Sequence, residues 1–168
     1  MSTRVPVGRL DEPRLVELAH RLAGAIGAGG VIHLRGDLGA GKTTFARALL
    51  RSLGVGERIK SPTYSLIESY AAGPLAVHHL DLYRIADAGE LEWLGLPDLT
   101  VGAHLLAIEW PERAGAALPS ADLVVHLAHA GAAREMWLEP LSAQGRRWAA
   151  VLAAASDARG SAGVNAQP

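Results

Sequence analysis

The stretch Val31-Ile32-His33-Leu34 followed by Gly36-Asp37-Leu38-Gly39-Ala40-Gly41-Lys42-Thr43 decides how this sequence is read. A short apolar run of strand type enters a glycine-rich turn, and helix-forming residues follow from Thr43 to Leu53, where Gly54 and Gly56 stop them. The spacing G-x-x-x-x-G-K-[ST] is met by Gly36, Gly41, Lys42 and Thr43. Its mechanics assign each position. Successive backbone N–H groups, backed by a helix N-terminus, form a concave anion site, and Gly36, Gly39 and Gly41 let the backbone approach phosphate with no Cβ between. Ala40 lies within the same loop. Lys42 would carry its charge to the β- and γ-phosphates, Thr43 would offer a hydroxyl to Mg²⁺, and Thr44 would sit near the α-phosphate. Lys42 and Lys60 are the only lysines in the chain. The plain alternative is a glycine-rich turn with an incidental lysine; the position between strand and helix, which the mechanism requires, argues against it.

Working outward, Asp11 can cap a helix in which Leu15, Leu18, Leu22 and Ile26 recur at helical spacing until Gly27 to Gly30 end it. Beyond the second helix, Tyr64 to Tyr70 and Leu75 to Leu82 read as strands joined by Ala71-Ala72-Gly73-Pro74. Ala88 to Leu94 reads as helical. His104 to Trp110, Leu123 to Ala128 and Glu135 to Leu141 read as strands, and Gln144 to Ser156 as a closing helix. The sum is α/β: a single P-loop NTPase-like domain over residues 1–156, with a central, mostly parallel sheet flanked by helices. Residues 157–168, small and polar, are expected to be a disordered tail.

Composition agrees. The chain has 168 residues, 49% hydrophobic and 20% charged, with a formal net charge of −1. That suits one ordinary globular domain and no broad nucleic-acid surface, so DNA is not an expected partner. Cysteine is absent, which excludes disulfides and thiolate-ligated metals. No signal-peptide core or membrane-length apolar run is present, so the expected location is the cytoplasm with no membrane association.

A P-loop enzyme also needs an acid at the end of a buried strand to serve Mg²⁺. Glu109, after Leu105-Leu106-Ala107-Ile108, and Asp81, after Val77-His78-His79-Leu80, both qualify. Alternation puts His79 and Asp81 on one face and His78 on the other. The adjacent histidines therefore cannot share a metal and read as core or supporting residues. Plainer roles are a strand-end cap or Arg84 partner for Asp81, and a buried ion pair for Glu109. Ser61-Pro62-Thr63-Tyr64 occupies the place where nucleotide-sensing segments occur, with Thr63 a candidate near the γ-phosphate or attacking water; a simple proline-initiated loop is equally compatible.

GTP is disfavoured because a guanine-reading Asn-Lys-x-Asp is missing, the only asparagine being Asn165 in the expected tail, so ATP is the expected nucleotide. The motifs Gly36 to Thr44, Lys60-Ser61-Pro62-Thr63-Tyr64, His79-Leu80-Asp81-Leu82-Tyr83-Arg84, Glu90-Leu91-Glu92 with Gly95, and Ile108-Glu109-Trp110-Pro111-Glu112 resemble, in order and spacing, the bacterial TsaE family. The resemblance runs from Asp11 to Arg134. It implies an ATPase of tRNA threonylcarbamoyladenosine biosynthesis, working with TsaD and TsaB and touching tRNA only indirectly. It further implies that Gly39 to Thr44 hold the phosphates and that Thr43 and Glu109 serve Mg²⁺. By the same resemblance Asp81 sits beside the nucleotide as an essential acid, Trp110 packs near it, and Arg134 and Glu12 lie close by; Lys42, on the phosphates, and Asp81 are the expected catalytic residues, with Thr63.

Two other readings share these residues. In a small-molecule phosphotransferase, Arg113 or Arg134 would belong to a lid and Asp81 would be the base for an acceptor hydroxyl. In a nucleotide-gated assembly module, occupancy alone would be reported to a partner.

Overall fold

The computed structural model describes residues 3–56 and 66–160, with side chains described to residue 157. Seven strands form one sheet in the order β1-β7-β6-β2-β5-β4-β3. They are β1 (Val5–Leu10), β2 (Gly29–Arg35), β3 (Ile67–Ala72), β4 (Leu75–Asp81), β5 (His104–Glu109), β6 (Leu123–Ala130) and β7 (Ala133–Pro140). The four adjacent strands β6, β2, β5 and β4 are mutually parallel, while β7 and β3 run against their neighbours. β1 is antiparallel to β7 and so points with the parallel group. The expected α/β architecture with a mostly parallel sheet is what the chain adopts, closed at each side by an antiparallel hairpin or edge.

Helices α1 (Glu12–Ala23), α2 (Lys42–Ser52) and α4 (Ala143–Gly160) share one packed cluster, α1 lying against both α2 and α4. Leu15, Leu18 and Leu22 of α1, Phe45 and Leu49 of α2, and Trp148 and Leu152 of α4 are buried there. A second cluster, with Leu80, Leu82, Ile85, Leu91, Leu96, Ile108 and Leu118, lies under short helical turns and α3 (Leu96–Leu99). The strands between the two clusters are buried on both sides, which is why β5 reads as an unbroken apolar run. No helix among the described residues is long and apolar enough to cross a membrane.

Several boundaries differ from those expected. α1 stops at Ala23, where the Gly24 N–H turns back to Leu22 O, although Ile26 beyond it is still buried. Residues Ala88–Leu94 are a 3₁₀ helix, opened by Asp87 accepting from Gly89 N–H and ended by left-handed Gly95. β3 and β4 leave only Gly73-Pro74 between them, and α4 continues past Ser156 to Gly160. β1 is unannounced: Pro6 and Gly8 look like a turn, but the irregularity in register between them lets the segment pair with β7.

Candidate functional site

β2, β4 and β5 deliver the site residues to one end of the sheet, the carboxyl end where ligands of parallel α/β proteins sit. Leu34 pairs with Glu109, and Asp81 pairs with Glu109 from the other side. Two carboxylates are therefore set beside the loop that follows β2.

That loop is backbone held in unusual conformations. Gly36, Gly39 and Gly41 all have positive φ, 153°, 77° and 109°. A Cβ on Gly36 would lie 2.3 Å from Leu127 O, and one on Gly41 would meet Arg134 Nε at 2.7 Å and Leu15 Cδ2 at 3.0 Å. Gly41 caps α2 without a side-chain cap hydrogen bond, an arrangement that leaves helix N-terminal N–H groups able to donate to an anion. His129 Nε2 donates to Leu38 O at 3.0 Å and ties the loop tip to β6.

Lys42 is 4% exposed. Its Nζ donates to Gly36 O at 2.5 Å and Asp37 O at 2.9 Å, and lies 4.2 Å from the Trp110 ring centroid. Burial lowers its pKa from the ordinary lysine value, with the nearby Glu109, Glu112, Asp81 and Asp37 opposing that shift. Trp110 is the one non-glycine residue with positive φ among those described, at 57°. Such backbone costs about 1–3 kcal/mol and is kept where its surroundings enforce it. Here the conformation turns the ring over Lys42 and against Tyr83, 5.0 Å between centroids. Arg113 stacks on the same pair, 5.5 Å from the Tyr83 ring and 5.7 Å from that of Trp110.

Glu109, 2% exposed, uses both oxygens: Oε1 accepts from Thr43 Oγ1 at 2.7 Å, and Oε2 is 2.6 Å from His79 Nε2. Asp81 Oδ1 accepts from Tyr83 N–H at 3.1 Å. Burial raises the Asp81 pKa above the ordinary value; the Tyr83 N–H works against this, and the Glu109 charge adds to it.

A cleft of about 170 Å³ opens among these groups. Gly39, Gly41, Lys42, Thr43, Thr44, Asp81, Glu109, Trp110 and Arg134 all line it. Gly36 lies against Leu127 and Ala40 is fully buried, so both act through backbone shape. Glu12 approaches Arg134 at 3.9 Å but stays largely exposed, outside the lining. Thr63 and the rest of Lys60 to Tyr64 lie outside the described residues. Tyr83 and Leu38 also line the cleft. They stood inside motifs already quoted, but nothing in their residue type marked them. His129 carried no signal at all.

The donors suit a hard cation on a nucleotide. Among the described residues no group of three His, Cys, Asp or Glu could hold a metal. Mg²⁺ on phosphates needs no such cage: it takes one or two carboxylates, phosphate oxygens and water. Thr43 and Glu109, joined by their 2.7 Å hydrogen bond, would be the protein's share of such a set, with Asp81 beside them on the neighbouring strand.

The family model described as "Threonylcarbamoyl adenosine biosynthesis protein TsaE" matches residues 10–136. The tRNA threonylcarbamoyladenosine biosynthesis protein TsaE of Haemophilus influenzae is 42% identical over 108 residues, 64% of this chain and 68% of that protein. The protein of the same name from Bacillus subtilis is 39% identical over 103 residues, 61% and 64% of the two chains. The crystal structure of Bacillus subtilis YdiB superposes with a TM-score of 0.71 at 27% identity, covering 92% of this chain and 97% of that one. With Gly36 to Thr43, Asp81 and Glu109 all inside the matched span, the chain belongs to the TsaE family.

Proposed function

We propose that this chain binds and slowly hydrolyses ATP with Mg²⁺, and that in the cytoplasm it drives or resets the assembly, with TsaD and TsaB, that forms N6-threonylcarbamoyladenosine in tRNA beside the anticodon. The observation that carries the reading is the convergence of Lys42, Thr43, Asp81 and Glu109 on one cleft at the N-terminus of α2.

The loop amides and the α2 terminus bind the phosphates and orient them. Lys42 must exchange its contacts with Gly36 O and Asp37 O for phosphate oxygens; leaving two carbonyls and a ring face for a polyanion is favourable for a desolvated ammonium. A bound Mg²⁺, held by Thr43 and Glu109, would supply charge neutralisation to the phosphates. Thr43 and Glu109 hold the cation's side of the cleft, while Asp81 stands where it can orient water. Trp110 and Tyr83 wall the mouth, and Arg134 borders the loop at Gly41. The near-neutral charge supports an indirect relation to tRNA, through partners.

The test is ATP turnover by the purified protein with Mg²⁺, alone and with purified TsaD and TsaB. Stimulation by the partners that vanishes in Lys42→Ala supports the reading. Tight ATP binding with neither stimulation nor complex formation contradicts it and directs attention to phosphate transfer onto a small hydroxylated acceptor.

A further inference from the structure

We propose that His79 is a positioning residue that holds the Glu109 carboxylate in the orientation its cation duty requires; the inference rests on the Mg²⁺ reading of the cleft. His79 is fully buried in β4, and Asp81, on the same face, pairs in register with Glu109 on β5. Its Nε2 lies 2.6 Å from Glu109 Oε2, while Thr43 Oγ1 donates to Oε1 of the same carboxylate.

The ring's other nitrogen assigns the proton. Nδ1 is buried and has no hydrogen-bond partner among the described residues. A proton there would be a buried donor without an acceptor, whereas a proton on Nε2 has the carboxylate in line. The ring is therefore the Nε2–H tautomer and donates to Glu109. Held at Oε2, the carboxylate cannot spin about its terminal bond, and Oε1 stays beside Thr43, on the cation's side. This is how supporting residues fix metal-handling groups, and removing one typically costs about 10–100-fold in metal affinity. A buried histidine that only filled space would not need either nitrogen aimed at a carboxylate.

Two substitutions separate positioning from filling. His79→Leu approximates the volume and removes the donor; His79→Gln places an amide N–H at a similar reach. ADP binding is measured by calorimetry with Mg²⁺ and with EDTA. The wild-type protein is expected to bind ADP more tightly with Mg²⁺. His79→Leu should lose about 10–100-fold of that gain while keeping its affinity in EDTA, and His79→Gln should recover most of it. Long-range ¹H–¹⁵N NMR of the unsubstituted protein, which depends on no variant folding, should show His79 protonated at Nε2 only, with its signals displaced in Glu109→Gln. A full Mg²⁺ gain in a folded His79→Leu, or an Nδ1–H tautomer, overturns the inference and leaves the cation site standing. Absence of any Mg²⁺ gain in the wild-type protein instead removes the cation reading itself, and this inference with it.

Discussion

At Gly36 the demand for glycine has two sources that a pair of substitutions can separate. Gly36 and Gly39 both sit at positive φ, so alanine is strained at either, by about 1–3 kcal/mol. Only at Gly36 would the new Cβ also strike backbone, 2.3 Å from Leu127 O, whereas at Gly39 the nearest atom is His129 Cε1 at 3.7 Å. Gly36→Ala is therefore expected to lose clearly more stability in urea unfolding than Gly39→Ala; equal losses would mean the clash relaxes away. Asp81 shows the opposite tension. Burial raises its pKa and Glu109 adds to the shift, outweighing the opposing pull of Tyr83 N–H, His79 and Lys42, so the ligand-free fold disfavours the charged carboxylate. Asp81→Asn can still accept from Tyr83 N–H, and should raise the melting temperature of the ligand-free protein while lowering ATP turnover. A lower melting temperature would contradict this account.

The elements owe their ends to local chemistry and their survival to packing. Asp11 accepts from Arg14 N–H at 2.9 Å and starts α1, so Asp11→Ala should cost about 1 kcal/mol in thermal or denaturant unfolding. α4 depends more on what it covers. Trp148 is fully buried and its Nε1 donates to Ala25 O at 2.9 Å, joining α4 to the turn after α1. Trp148→Ala should cost about 3–5 kcal/mol, and Trp148→Phe less, since it keeps most of the apolar contact but leaves Ala25 O without its donor. α1 was legible because its apolar residues recur with the helical period, and α2 because it follows the glycine-rich turn and is stopped by Gly54 and Gly56. The 3₁₀ turn at Ala88–Leu94 was not, because Leu91 and Leu94 also suit an α-helix and only the hydrogen-bond closure differs. β1 was hidden by Pro6 and Gly8, residues that a sheet accepts at an edge and at an irregular register.

Across the whole molecule, His33, His78 and His126 all have pKa values lowered first by burial, each against the ordinary value of 6.5. Their neutral forms are thus favoured by the fold. Below 6.5 the unfolded chain takes up protons that the folded chain refuses, so stability falls as pH drops, until each histidine passes its own lowered folded value. Unfolding free energy should be nearly flat above neutrality on account of these groups and decline below 6.5. His33→Gln, which can keep a donor toward Pro119 O in place of the 3.2 Å contact, should make the decline shallower. An unchanged slope in that variant would remove His33 from the explanation.

The nature of the loop, its lysine and hydroxyl, and the α/β alternation around it follow from residue types at fixed spacing, because phosphate recognition is made by a contiguous strand, turn and helix. Asp81 and Glu109 were recognisable as strand-end acids for the same local reason. Their meeting is not local: it depends on β4 and β5 lying side by side in register, and β5 lying next to β2, although β3 and β4 intervene in the chain. The donor that His79 presents to Glu109, the hold of His129 on Leu38 O, and the left-handed turn that lays Trp110 over Lys42 arise where separate segments pack. No spacing rule reaches across such contacts, since they join residues far apart in the chain and depend on which strands become neighbours.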